Sequence, residues 1–430
     1  MLISNSELLK KLIYKGAKDK NLDITDVFLD KICFEISILE KQGCIDYYIL
    51  YSRIIEVCNA CKVLRSFGRG SSAGSLINYC LDITKINPLE HGLIFERFLN
   101  PDLISFPDID FDIPKGSKKI ILQELKNRYP EYNSFYIAFL SHSNTEFKSV
   151  FYNNFEYKVH PSGLVITNKQ VDSSIFIHEN DRFYISENSK EDELYRDKID
   201  IIELEYLRRL ELIVAKIGDE YHPYKLPLDD KKVYKLLASG VNENIFQLNS
   251  LALGSILKDF KPDNINDLSL INAVYRPGLI NFIPFLIKHK FDGYERFENI
   301  QLQKLLEETY GVLVYQETFL SILKQIADFT FAEADIWRQR LVNAAEFDVF
   351  KELFNNFSKV FVERIEHLNQ SDIDKLMTMI QSNIRMTFTK SHTLSYSIIS
   401  YWGAYYKTYF NNTFENVFDK DLNFKKIELY

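Results

Sequence analysis

No run of about 18 consecutive apolar residues occurs anywhere in the 430-residue chain, so no membrane-spanning helix is expected. No secretory leader is read at its start either. Cysteine is scarce: Cys33, Cys44, Cys58, Cys61 and Cys80 are the five, too few for a disulfide scaffold at this length. Cys58 and Cys61 sit three apart, but neither a second pair nor a histidine follows at zinc spacing. A reduced, cytoplasmic protein without structural zinc is the expectation. Low-complexity linkers and internal repeats are missing. So is an excess of positive charge: the net charge is −8. The bulk charge therefore does not advertise a nucleic-acid binder. It does not exclude one, because an acidic catalytic face and a basic groove can share one molecule. What remains is ordinary for a globular protein, with 46% hydrophobic and 26% charged residues. The length admits two or three domains with a sizeable core.

Along the chain, residues 6–63 carry apolar positions at helical spacing through Val27, Phe28, Ile32, Phe34, Ile36 and Leu39, then Tyr48, Leu50, Ile54 and Val57. A glycine-serine run, Gly68-Arg69-Gly70-Ser71-Ser72-Ala73-Gly74-Ser75, breaks this pattern. Leu76 to Leu81 then reads as a helix that the run opens. Residues 102–113 read as a strand, and a basic helix follows from 117 to about 130. Short β-like runs follow, including Gly163 to Thr167, Arg182 to Ile185 and Lys198 to Ile202. From about 206 onward the pattern is mostly helical, punctuated by Pro223, Pro227, Pro262, Pro277-Gly278 and Gly311.

The most informative segment is Pro107-Asp108-Ile109-Asp110-Phe111-Asp112. On a strand, alternate side chains share a face, so the three carboxylates point one way while Ile109 and Phe111 enter a core. Like charges in a row cost energy unless a cation shares them. Mg²⁺ is the cation expected, since it takes hard oxygen ligands and bridges to phosphates. The glycine-serine run offers backbone N–H groups and a hydroxyl to those phosphates. Together these features point to metal-dependent nucleotidyl transfer.

Further motifs extend this pattern: Phe95-Glu96-Arg97-Phe98-Leu99-Asn100-Pro101 and His160-Pro161-Ser162-Gly163-Leu164-Val165-Ile166, then Leu228-Asp229-Asp230 and Ile245-Phe246-Gln247-Leu248. Arg276-Pro277-Gly278, Thr309-Tyr310-Gly311 through Gln316-Glu317, Ala334-Asp335-Ile336-Trp337-Arg338 and Phe388-Thr389-Lys390-Ser391-His392 continue it. In this order, and with Arg69 to Leu76 and Phe106 to Asp112, they resemble the bacterial replicative DNA polymerase III alpha subunit, the C family. The resemblance runs from about residue 8 to the C-terminus.

It implies an α+β fold: a DNA polymerase beta-like nucleotidyltransferase palm with a reduced thumb, followed by an all-helical fingers domain. The implied divisions are 1–113 for the N-terminal helices and first palm segment, 114–158 for the thumb, 159–215 for the second palm segment and 216–430 for the fingers. Two Mg²⁺ ions on three acidic residues, primer-template DNA, dNTPs and replisome proteins acting in trans are implied as well. The family's catalytic pair falls on Asp110 and Asp112, with Asp108 in support. The third carboxylate falls on Asp200, in Lys198-Ile199-Asp200, or, with a shift of three, on Glu203. Gly70 and Ser71 are expected at the triphosphate, with Arg97 reaching it too. Arg276, Arg338, Arg340, Lys390 and His392 are the fingers' candidates for nucleotide or template contacts, since arginine suits phosphate geometry.

The sequence also departs from the family. Relative to full-length members, the amino-terminal PHP domain and the clamp-binding, helix-hairpin-helix and OB-type regions are expected to be missing. Gln247-Leu248-Asn249-Ser250 stands where the family has Gln-apolar-Glu-Ser. The paired arginines after Ala-Asp are interrupted as Arg338-Gln339-Arg340, and Leu341-Val342-Asn343 replaces basic residues. Fewer cations imply weaker DNA binding and low processivity. The reading is thus a minimal DNA-directed DNA polymerase. Template-independent nucleotidyl transfer and a catalytically degenerate DNA-binding or replisome scaffold are its rivals.

Overall fold

A computed structural model describes residues 4–103, 105–140, 149–152, 155–169, 176–179, 182–186 and 197–419. Parts of the expected thumb, 141–148 and 153–154, lie outside these residues. The chain divides into two compact units, each built from discontinuous segments. The first comprises Met1–Ser72, Leu76–Lys85 and Phe106–Arg208; the second comprises Ala73–Ser75, Ile86–Ser105 and Arg209–Tyr430.

The first unit opens with three helices, α1 (Asn5–Asp19), α2 (Asp26–Lys41) and α3 (Ile45–Ala60). Ser4 and Glu7 form a reciprocal capping box at α1, and Thr25 caps α2 through the Phe28 amide. A short helix α4 (Leu76–Cys80) lies against them. Its first amides, Leu76 and Ile77, donate to the buried Glu35 carboxylate at 2.9 and 3.0 Å, so an anion from α2 satisfies the positive end of α4. Gly16 permits the approach of α1 to α4: a Cβ there would lie 1.8 Å from the Cys80 carbonyl oxygen.

A seven-stranded mixed sheet follows. Its strands are β1 (Asp110–Pro114), β2 (Asn133–Leu140), β3 (Ser149–Tyr152), β4 (Phe155–Thr167), β5 (Phe176–Glu179), β6 (Arg182–Ser186) and β7 (Lys198–Leu204). The spatial order is β1-β7-β4-β2-β6-β5, with β3 paired to β4 off this path. The β1–β7 and β2–β6 pairs are parallel and the others antiparallel. The expected strand at 102–113 thus starts only at Asp110. The basic helix is Ser117–Arg128. Lys118 on it is buried and donates to the Pro161 carbonyl at 3.0 Å, while Lys119 and Lys126 are exposed.

The second unit is helical. Its longest helix, Lys390–Tyr409, is buried almost all round, with Trp402 fully enclosed. The serines on it are buried as well, and Ser395 and Ser400 return their hydroxyls to backbone carbonyls of the preceding turn. A second core gathers around Phe350, Phe354, Phe357 and Phe361, one face of the helix Phe347–Glu363. Among the described residues no helix is long and apolar enough to cross a membrane.

Candidate active site

The carboxylates meet because of strand register. β1 and β7 are parallel neighbours, and Asp110 pairs with Asp200. Paired residues on adjacent strands are about 4.8 Å apart and share a face, so two acids distant in sequence become side-by-side carboxylates. Asp108 joins them from the segment leading into β1. One carboxylate oxygen from each of Asp108, Asp110 and Asp200 lies within 4.8 Å of the other two. Ile109, Phe111 and Ile113 are buried on the opposite side and anchor the strand. The Tyr51 hydroxyl, from α3, donates to the Ile109 carbonyl and fixes the peptide between the first two acids.

Asp200 is held on both oxygens. Ser162 Oγ donates to Oδ1 at 2.9 Å, and Lys198 Nζ to Oδ2 at 3.0 Å. The lysine reaches it because residues two apart on a strand share a face. His160 Nδ1 stands 3.7 Å from Asp200 Oδ1. That nitrogen accepts the Gly163 amide at 2.7 Å, so it is unprotonated and the approach is not an ion pair. Gly163 is required here: a Cβ would lie 2.8 Å from the same ring nitrogen.

Asp112 is fully buried and turned to a different partner. Arg69 Nη1 donates to its Oδ1 at 3.0 Å, and Arg69 Nε lies 3.7 Å from Asp110 Oδ2. The glycine-serine run is docked beside β1 by the Ser66 amide, which donates to the Asp112 carbonyl at 3.1 Å. Gly70 sits at φ +61°, where a side chain is disfavoured. Ser72 Oγ closes the turn on the Arg69 carbonyl at 2.8 Å, with the half-buried Ser71 between them.

Glu203 occupies a different place. It pairs in register with Ile113, and its Oε1 accepts the Gly116 and Lys118 amides at 2.7 and 3.4 Å. It serves as the anionic cap of the Ser117–Arg128 helix.

Burial, then the charges of Asp108 and Asp200, push the Asp110 carboxyl up to about 7, against the opposing pull of Arg69. The ligand atoms gathered here are all carboxylate oxygens, with Arg69 beside Asp110 and Lys198 beside Asp200 as the neighbouring cations. The set fits a hard divalent cation such as Mg²⁺.

The fingers' candidates lie in the second unit. Arg97 donates to Gln316 Oε1 at 2.6 Å and to Thr389 Oγ1 at 3.1 Å. Arg338 is buried and donates to Asp335 Oδ1 at 2.7 Å, while Asn100 Nδ2 reaches the same carboxylate at 3.4 Å. Burial, then the Arg338 charge, lower the Arg97 pKa. Lys390 pairs with Glu308 at 2.7 Å and donates to the His91 carbonyl at 2.8 Å. Arg276 donates to the Met386 carbonyl and covers the Phe388 ring at 4.1 Å. His392 lies edge-on between Phe388 and Tyr396, and Arg340 lies over Trp337 at 5.6 Å. Tyr315 is buried against Ser269, and Tyr310 donates to Asp267.

Sequence reasoning gave Asp108 only a supporting place and did not single out Ser162 or Tyr51. Alternation along the strand was the available signal for Asp108. Ser162 and Tyr51 matter only because strand pairing and helix packing bring them there, which local pattern does not reveal.

The carboxylate cluster lies beside a glycine-serine loop at the β1 edge of the sheet. The family model of the bacterial DNA polymerase III alpha NTPase domain matches residues 7–151, and that of the bacterial DNA polymerase III alpha subunit finger domain matches residues 203–364. The chain is 27% identical to DNA polymerase III subunit alpha of Halalkalibacterium halodurans, covering 93% of this chain and 41% of that protein. It is 28% identical to the Ureaplasma parvum protein of the same name, over 93% of this chain and 48% of the relative. The Staphylococcus aureus protein is 28% identical over 92% of this chain and 43% of its own length. The chain belongs to the bacterial DNA polymerase III alpha family, and it spans less than half the length of these relatives.

Proposed function

We propose that this chain is a DNA-directed DNA polymerase that extends a primer 3′-OH with dNTPs. The observation that carries the proposal is the Asp108–Asp110–Asp200 cluster with Asp112 behind it. In this reading strands β1 and β7 belong to a DNA polymerase beta-like palm, the segment 114–158, which contributes β2 and β3 to the same sheet, is a reduced thumb, and the fingers lie in the helical unit. Residues 1–113 would comprise the N-terminal helices and the first palm segment, with 86–105 folding in the helical unit, 159–215 the second palm segment and 216–430 the fingers. Asp110 and Asp200, with Asp112 or Asp108, hold two Mg²⁺ ions. Such ions supply a more acidic 3′-OH and neutralise charge on the leaving pyrophosphate. The protein's own contribution is positioning. Ser162 and Lys198 fix the Asp200 carboxylate, and Tyr51 fixes the strand that presents Asp108 and Asp110. Gly70 and Ser71 present the loop to the triphosphate, and Arg69 is the cation best placed to follow it. Arg97, Arg276, Arg338, Lys390 and His392 are assigned to nucleotide and template contacts. Phosphoryl transfer depends mainly on such placement and charge neutralisation.

A second reading, a DNA-binding or replisome scaffold without catalysis, is favoured by one observation. Arg97, Arg338 and Lys390 are each engaged by internal partners. Primer extension on a defined template with Mg²⁺ separates the readings. Templated extension that falls at least a thousandfold in Asp110→Asn and Asp200→Asn supports the polymerase. Untemplated tailing transfers the assignment to template-independent synthesis. DNA binding without incorporation at low salt leaves the scaffold.

A further inference from the structure

The helical unit contains a cavity that none of these assignments uses. It has a volume of about 520 Å³ and lies between the helix Ile283–Asp292, the turn at Gly311-Val312 and the helix Gln370–Asn383. That volume falls within the range of small-ligand sites. Phe282, Phe285, Val312 and Met379 form its apolar walls. Phe285 is 56% exposed, an aromatic ring left at the edge of a concave surface.

His289 and Asn383 are polar residues of the lining. His289 Nδ1 stands 2.8 Å from the Tyr310 carbonyl oxygen, which only accepts. Nδ1 therefore donates, and in the Nδ1–H tautomer Nε2 is an acceptor. The ring is fixed in place, stacked on Tyr294 at 5.2 Å and edge-on to Phe285 at 6.4 Å. Gly311 makes room for this stack, since a Cβ there would lie 2.5 Å from the Tyr294 ring. The other residue, Asn383, is only 1% exposed. Its Nδ2 donates to the Leu313 carbonyl at 3.2 Å, while its buried Oδ1 has no hydrogen-bond partner among the described residues.

The remaining polar groups of the lining are engaged. Thr378 and Ser382 return their hydroxyls to their own helix at 2.8 and 2.9 Å. Lys375 is paired with Glu295, and Asp374 stands beside it. The charge balance favours a neutral ligand over a phosphate.

We propose that this cavity binds a neutral, planar heteroaromatic molecule carrying N–H donors, of the purine-base type. Its faces meet the phenylalanine walls, and an N–H group meets His289 Nε2. The same chemistry is offered by a free base and by a base on a single strand.

The test uses the whole chain in EDTA, so that metal-dependent nucleotide binding at the carboxylates is silent. 2-Aminopurine, as free base and within a short single-stranded oligonucleotide, is titrated by fluorescence. Saturable quenching of either probe, competed by adenine, is expected. His289→Phe keeps the ring packing and removes the acceptor; Phe285→Ala alters an exposed side chain. Each should weaken binding at least tenfold while circular dichroism shows the fold retained. Loss with the free base assigns the site to small molecules, and loss only with the oligonucleotide assigns it to a strand. No saturable quenching of either probe, or quenching that both variants leave unchanged, overturns the proposal.

Discussion

Asp110 shows how one residue's environment sets its chemistry. Burial and two neighbouring carboxylates hold its pKa near 7, above the ordinary 3.8. A folded-state pKa raised in this way means the native state binds the proton more tightly than the unfolded chain does. That stabilisation is complete below the unfolded value and is lost as pH rises through about 7. In EDTA, the melting temperature of the wild type should fall between pH 5 and pH 8, and Asp110→Asn should flatten that decline. Added Mg²⁺ should raise the wild-type value most at pH 8. Equal pH slopes for the two proteins would remove the electrostatic account of the cluster. Asp112 is a contrasting case, fully buried against Arg69. Arg69→Gln leaves that charge without its cation. Allowing for the partial exposure of the arginine, a loss of about 2 kcal/mol is expected in urea denaturation.

At the scale of elements, register decides roles that residue type leaves open. Asp200 and Glu203 are both acids on β7, three positions apart, so they fall on opposite faces of the strand. Pairing with Asp110 places Asp200 in the cluster, whereas Glu203, opposite Ile113, reaches the start of the helix Ser117–Arg128. Glu203→Gln should therefore cost only about 0.3–1 kcal/mol through the weakened helix cap. It should leave Mn²⁺ binding, followed by electron paramagnetic resonance, unchanged. Asp200→Asn should weaken Mn²⁺ at least tenfold, and the reverse pattern would exchange the two roles. The alternation of Asp108, Asp110 and Asp112 was legible in the sequence, as was the Lys198-Ile199-Asp200 strand. The separation of Asp112 from the other two was not. It depends on Arg69, which reaches β1 only because the glycine-serine run docks along it through the Ser66 amide.

Across the whole molecule, segments far apart in sequence fold together. Residues 86–105 belong with the helical unit, not with the sheet that their neighbours in sequence build. Arg97 shows why, since its partners Gln316 and Thr389 lie 219 and 292 positions away. Arg97→Ala should destabilise the helical unit by about 1–3 kcal/mol. With two units present, that loss should appear as one shifted transition in a biphasic unfolding curve. The polymerase reading also sets a salt dependence. With the basic run after Arg338 replaced by Leu341-Val342-Asn343, few phosphates are neutralised. Primer-template affinity at 50 mM salt should then be modest, and the slope of log affinity against log salt should be shallower than about −6.

The sequence by itself determined the helical character of both ends, the Asp-rich strand, the glycine-serine run and the family resemblance. Each is written in local spacing, and spacing fixes which side chains share a face. Only the tertiary structure decided which carboxylates lie side by side, which serine and tyrosine hold them, and that the candidate cations of the helical unit already have partners. It also formed the cavity around His289 and Asn383. Those outcomes depend on parallel strand pairing and helix packing between distant segments, and no local pattern in the chain encodes such distances.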